Sequence, residues 1–192
     1  MSGDSDAGRR VARAAAEAFG GTASLALHED ADQTGALGVV TAPDSPEPGM
    51  TSCATVGLMA HDMGLTAEGA SLRVELLTAG RSDDDRLAEM LVSIALAQAR
   101  CRVACGHGKV VPDLVPAAYS QHDLRHVLFT VPFLWDGPEL VRLDDVLVAW
   151  LLVVPISDDE RDYATRHGVD ALEERFGERE VNVFDRTRRS SI

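Results

Sequence analysis

An unbroken apolar run from Val146 to Val154 (VLVAWLLVV) ends at Pro155, and the next residues, ISDDERDYATRHGVDALEERF, turn at once into an acidic helix-forming string. A run of this length with almost no polar position reads as a strand covered on both faces, so it belongs in the middle of a sheet. Ser157 and Glu160 stand in capping-box spacing. The Ser157 hydroxyl can accept from the Glu160 amide while the Glu160 carboxylate reaches back to the Ser157 amide. A helix therefore starts at Asp158, and it bends or restarts at Gly168, since an interior glycine costs about 1 kcal/mol against alanine. A chain with this unit must build a sheet that is packed on both sides. Its 192 residues are enough for one domain with a sizeable core.

The remaining elements follow from periodicity. Residues 6–19 (DAGRRVARAAAEAF) are strong helix formers with Val11, Ala15 and Ala18 on one face, and Gly20-Gly21 ends them. Strands are expected over Thr22–Glu29, Gly38–Ala42, Thr51–Met59, Ser71–Thr78 and Arg125–Val131. Ser82, followed by three aspartates, is the expected start of a long helix through Leu87, Leu91, Ile94, Cys101 and Cys105, ended by Gly106 and Gly108. The order helix, strands, helix, strands, helix predicts an α+β single domain with a central mixed β-sheet and helices packed on it. Residues 1–20 form an N-terminal helix packed on or flanking a domain of residues 21–192. Only 5% of residues are aromatic, so Leu, Val and Ala must fill most of the core.

Charge narrows the partners. There are 31 acidic residues against 18 basic ones, a net charge of −13, and Lys109 is the sole lysine. Such a chain repels nucleic acid and anionic membranes at long range and suits a basic protein partner, or is simply kept soluble. The apolar run is too short to span a bilayer, and the first residues lack the order of a signal peptide. Three cysteines do not form a disulfide framework. A reducing cytoplasm is the expected compartment.

Cys101, Cys105 and His107, with Cys53 as a fourth ligand, invite a metal, and a metal-binding hydrolase or metal-regulated protein is the alternative reading. The spacing argues against it, because two cysteines one turn apart on the apolar face of a helix are ordinary small core residues. His122 and His126 resemble the two histidines of a helical zinc site. The following residues read as strand, where positions four apart lie about 13 Å from each other. Gly106-His107-Gly108-Lys109 lacks the first glycine and the final Ser or Thr of a phosphate loop, and no G-x-S-x-G elbow occurs. Asp144-Asp145 and Asp158-Asp159 fit a turn and a helix start. No catalytic residue, cofactor or metal is assigned. Arg186, Arg188 and Arg189 form a basic island expected to pair with acidic groups of the same chain.

The strings TSCATVGLM, RVELLTAG, LRHVLFTVPFLW, VVPISDDERDYATRHGVDALEERF and VNVFDRTRRSS occur in that order over residues 50–192. Together they resemble the suppressor of fused domain family. The strand–Pro–Ser junction, with a glutamate in the next turn and a Gly then Leu further on, carries most of the likeness. The resemblance implies a mixed-sheet domain and a binding module rather than an enzyme. Animal relatives add a second domain and hold a peptide as an extra strand between the two, which this chain has no room to do. Single-domain bacterial relatives look like immunity proteins that neutralise toxins. The surface chosen for the partner is the strand edge with Arg125, Val127, Phe129 and Trp135, since tryptophan is enriched among interface hot spots. The reading favoured for Trp135 itself is a cap on the core beside its turn, and Trp150 is expected in the core. A free sheet edge would also permit a homodimer.

Overall fold

The computed structural model describes residues 2–30, 32–33, 35–101, 105–119 and 124–192, and the side chains from residue 6 onward. The helices are α1 (Ser2–Phe19), α2 (Leu87–Cys101), α3 (Asp158–His167) and α4 (Val169–Glu178). The strands are β1 (Ser24–Glu29), β2 (Ala36–Pro43), β3 (Met50–Val56), β4 (Leu65–Ala67), β5 (Ala70–Arg81), β6 (Lys109–Val111), β7 (His126–Thr130), β8 (Val141–Leu143) and β9 (Val146–Ile156). All nine join one sheet in the order β1-β2-β3-β5-β9-β7-β6, with β4 added to β5 and β8 to β9. The β5–β9 pairing, from Ser71↔Val146 to Leu77↔Leu152, is parallel and the others are antiparallel. The single α+β domain with a mixed sheet is as expected.

The period of two along β9 divides its side chains between two cores. Leu151 and Val153 pack with Leu87, Leu91 and Ile94 of α2 on one face. Trp150, Leu152 and Val154 pack on the other face with Val11, Ala15 and Phe19 of α1 and Leu172 and Phe176 of α4. β9 runs two residues beyond the expected end. Its pairing with β5 stops at Leu152, so Pro155 has only β7 beside it, where Val127 is its partner. The Pro155 carbonyl accepts from Arg188 Nη2 at 3.0 Å. The capping box forms as read: Glu160 N donates to Ser157 Oγ at 3.2 Å, and Ser157 N donates to Glu160 Oε2 at 3.0 Å. The helix breaks at Gly168 (φ 93°) and restarts as α4.

The long helix differs from expectation at both ends. It begins at Leu87 rather than after Ser82, and two of the three aspartates are used elsewhere. Asp83 pairs with Arg81, and Asp84 accepts from Arg186 Nε at 2.6 Å. It ends at Cys101, which is exposed, while Cys105 is buried beyond the helix. The two cysteines therefore do not share a helical face. β4, β6 and β8 are three residues long each and carry too little alternation to be read in advance.

Candidate functional site

The residues chosen for partner binding fall into two groups. Arg125 is half-exposed at the entry to β7, with Nε 3.3 Å from Asp113 and Nη2 on Asp158. Val127 and Phe129 are fully buried, and Trp135 is 9% exposed. The physical reason is that β7 is not an edge: β6 covers it on one side and β9 on the other. Trp135 takes the capping position, donating from Nε1 to Ser52 Oγ at 3.0 Å, with its ring centroid 5.2 Å from that of Phe19. The main strand order ends at β1 and the short β6, and β4 and β8 each have a partner on one side only. His126, also in β7, has no exposure. Its Nδ1 accepts from the Asp113 amide at 2.9 Å and its Nε2 faces Asp158 Oδ1 at 3.0 Å. His122 lies outside the described residues, so the two-histidine pattern is not seen whole.

The three cysteines do not converge. Cys53 on β3 is 3.9 Å from Thr41 Oγ1, Cys105 donates to Met63 Sδ at 3.3 Å, and Cys101 is at the surface. Burial pushes the Cys53 thiol up to about 12 and the Cys105 thiol up to about 11, whereas a metal ligand must be a thiolate. Among the described residues no three of His, Cys, Asp and Glu are placed to hold a metal ion.

Two of the three arginines of the basic island, Arg186 and Arg188, pair with the chain's own acids, while Arg189 is exposed. Arg186 lies between Asp84 and the Tyr119 carbonyl, 3.2 Å from the latter. Arg188 grips the fully buried Glu160 at 2.6 and 3.0 Å, and Glu160 also accepts from the Ser191 amide and hydroxyl at 2.9 and 2.8 Å. Burial alone would raise the Glu160 carboxyl. The Arg188 guanidinium and the amides of Ser157 and Ser191 outweigh it and hold the group below its ordinary value. This network ties the C-terminal segment down against α3 and α4, and in doing so builds one wall of a groove.

The groove has a volume of about 540 Å³, within the range of ligand-sized clefts. The end of β7 and the segment after it supply Thr130, Val131 and Phe133. α4 supplies Glu173 and Phe176, and the returning C-terminal segment supplies Glu180, Val183 and Phe184. Phe133 is 59% exposed and Val131 51% exposed, and the Phe133 and Phe184 rings lie 5.9 Å apart. At the inner end Thr130 Oγ1 donates to Glu173 Oε1 at 2.7 Å and sits 3.2 Å from His107 Nδ1. The Thr130 proton is thus held by a carboxylate and the imidazole must act as donor, which is the wrong polarity for activating a nucleophile. This cluster positions Glu173. Glu173 and Glu180 make no ion pair among the described residues. Nothing in the sequence couples VPFLW with VNVF fifty residues later, so the groove was not legible there.

A single-domain mixed-sheet protein with an open apolar groove edged by carboxylates is a binding module in form. The chain belongs to the suppressor of fused family, whose model (Suppressor of fused protein) matches residues 33–189. It is 29% identical over 183 residues to the immunity protein YqcF of Bacillus subtilis strain 168, covering 95% of each chain. Among solved structures it resembles a suppressor of fused homologue from Neisseria gonorrhoeae FA 1090, with TM-score 0.61, 21% identity, and 81% of this chain and 78% of that one covered. The protein in a Sufu–Fu complex superposes with TM-score 0.61 at 13% identity, over 98% of this chain and 92% of that one. These structural likenesses concern the fold. Among the described residues no helix is long and apolar enough to cross a membrane.

Proposed function

We propose that this protein is an immunity protein: it binds a basic toxin domain in the cytoplasm and blocks it by occupancy rather than by a reaction. The observation that carries this reading is the groove, where exposed Val131 and Phe133 sit beside Glu173 and Glu180 on a chain of net charge −13. Exposed apolar side chains ringed by one sign of charge suit a protein partner of the opposite sign. The likeness to YqcF over nearly the whole length supports the same reading. Of the four residues first chosen from the sequence, Arg125 is the one exposed enough to join such an interface.

The test is affinity capture with the polypeptide encoded next to this protein. Binding is expected at low ionic strength and should weaken as salt rises, because long-range steering is screened within about 10 Å at 0.1 M salt. Failure to bind that polypeptide at any ionic strength would remove the immunity reading.

A further inference from the structure

We infer that the groove between β7, α4 and the C-terminal segment receives an extended stretch of the partner with an apolar anchor flanked by two arginines, in the pattern Arg-x-Φ-x-Arg. The inference rests on the immunity reading for its biological partner. Its chemistry comes from the groove itself.

The floor and walls are apolar: Leu128, Val131, Phe133, Val154, Phe176 and Phe184. The Phe133 and Phe184 rings, 5.9 Å apart and inclined at 51°, present an aromatic wall at the mouth, against which an inserted ring or branched side chain can pack. The two carboxylates are not side by side. Glu173 and Glu180 are seven residues apart along α4 and the turn that follows it, which corresponds to roughly 10 Å at 1.5 Å per residue. Two cations, one at each glutamate, match this spacing. In an extended segment, residues i, i+2 and i+4 share a face, and i to i+4 spans about 13 Å. Arginine stems are long enough to close that difference and can lie along apolar surface with their heads outward.

A segment with Arg, Φ and Arg on one face therefore sets the anchor against the wall formed by Phe133 and Phe184 and a guanidinium at each glutamate. The Glu173 carboxylate is already aimed, since Oε1 accepts from Thr130 Oγ1 at 2.7 Å, which leaves Oε2 for the incoming donor. Charge complementarity selects this occupant over a second copy of the chain, because two copies at −13 each repel.

The experiment is a titration of the full-length, isotopically labelled protein, followed by amide chemical shifts, with acetyl-Arg-Ala-Phe-Ala-Arg-amide as probe. The expected result is perturbation confined to His107, residues 128–134, Val154 and residues 173–184. Affinity should be at least about threefold weaker when both arginines become glutamine, the scale of two exposed ion pairs, and the glutamate-flanked peptide should not bind. Glu180→Gln and Phe133→Ala lie at exposed positions, so they keep the fold and should each weaken the probe. Perturbation elsewhere, no perturbation, or equal affinity for the arginine and glutamate peptides would overturn the inference.

Capture of the neighbouring polypeptide by the Phe133→Ala/Glu180→Gln double variant separates the two claims. Undiminished capture by the variant sinks the groove while leaving the immunity reading intact. If the unaltered protein captures nothing, the immunity reading falls while the peptide titration still judges the groove.

Discussion

Glu160 and Glu75 are both fully buried carboxylates, and their surroundings drive them in opposite directions. Glu160 is held low by Arg188, so its contribution to stability is present above the ordinary carboxylate range and lost as pH falls through its lowered value. Arg188→Ala leaves Glu160 buried and unpaired and should cost about 3–5 kcal/mol at neutral pH. Chemical denaturation should show the loss shrinking at acid pH, where the carboxyl that the variant leaves buried without Arg188 takes up a proton. Glu75 lies under the short 3-10 turn Leu58–Ala60 and accepts from the amides of Gly57, Leu58 and Met59 at 2.7, 3.3 and 3.1 Å, and from Thr55 Oγ1 at 2.5 Å. Burial outweighs these donors and pushes it from 4.5 up to about 7. The folded state then holds a proton that the unfolded chain has released. Stability from this site is present below pH 4.5 and falls as pH rises through 7, by up to about 1.4 kcal/mol per pH unit. Thermal unfolding at pH 5 and pH 8 checks this, since the difference should disappear in Glu75→Gln. The Ser157–Glu160 cap was legible because both partners are three residues apart. Arg188, twenty-eight residues further on, was readable only as a charge in need of an acid, and Glu75 gave no local signal.

At the level of elements, the strand–Pro–helix unit was read almost to the residue because its signals are local: an unbroken apolar run, a proline and a capping box. Ser157→Ala should cost about 1 kcal/mol by the usual cost of losing an N-cap, measured as a shift in the denaturation midpoint. Leu172 on α4, fully buried against the second core, should cost about 2–5 kcal/mol on replacement by alanine. That loss should exceed that of any substitution on the exposed face of the same helix. The misreadings share one cause, which is competition from distant partners. Ser82 and the aspartates after it look like a helix start, yet Arg81 and Arg186 draw Asp83 and Asp84 into ion pairs and the helix waits until Leu87. Likewise β7 looks like an edge until β6, only three residues long, covers it. The cysteines follow the same rule: Cys101 is exposed while Cys53 and Cys105 are buried. A thiol reagent should label Cys101 alone in the native protein and all three after denaturation.

Across the whole molecule, the mixed sheet and its two helical layers were predictable from the order of elements, whereas the groove was not. Val131, Phe133, Glu173, Glu180 and Phe184 come together only because the C-terminal segment, fastened by Arg186 and Arg188, returns across α4. Residues that are polar or apolar one at a time become a surface only when the chain closes. The central claim, that this acidic groove-bearing domain neutralises a toxin by binding it, is tested most directly by survival. Cells expressing the toxin domain encoded beside this protein should live when the protein is co-expressed. They should die when it is absent or when it carries Phe133→Ala and Glu180→Gln at an equal folded level. Equal killing with and without the unaltered protein would contradict the account.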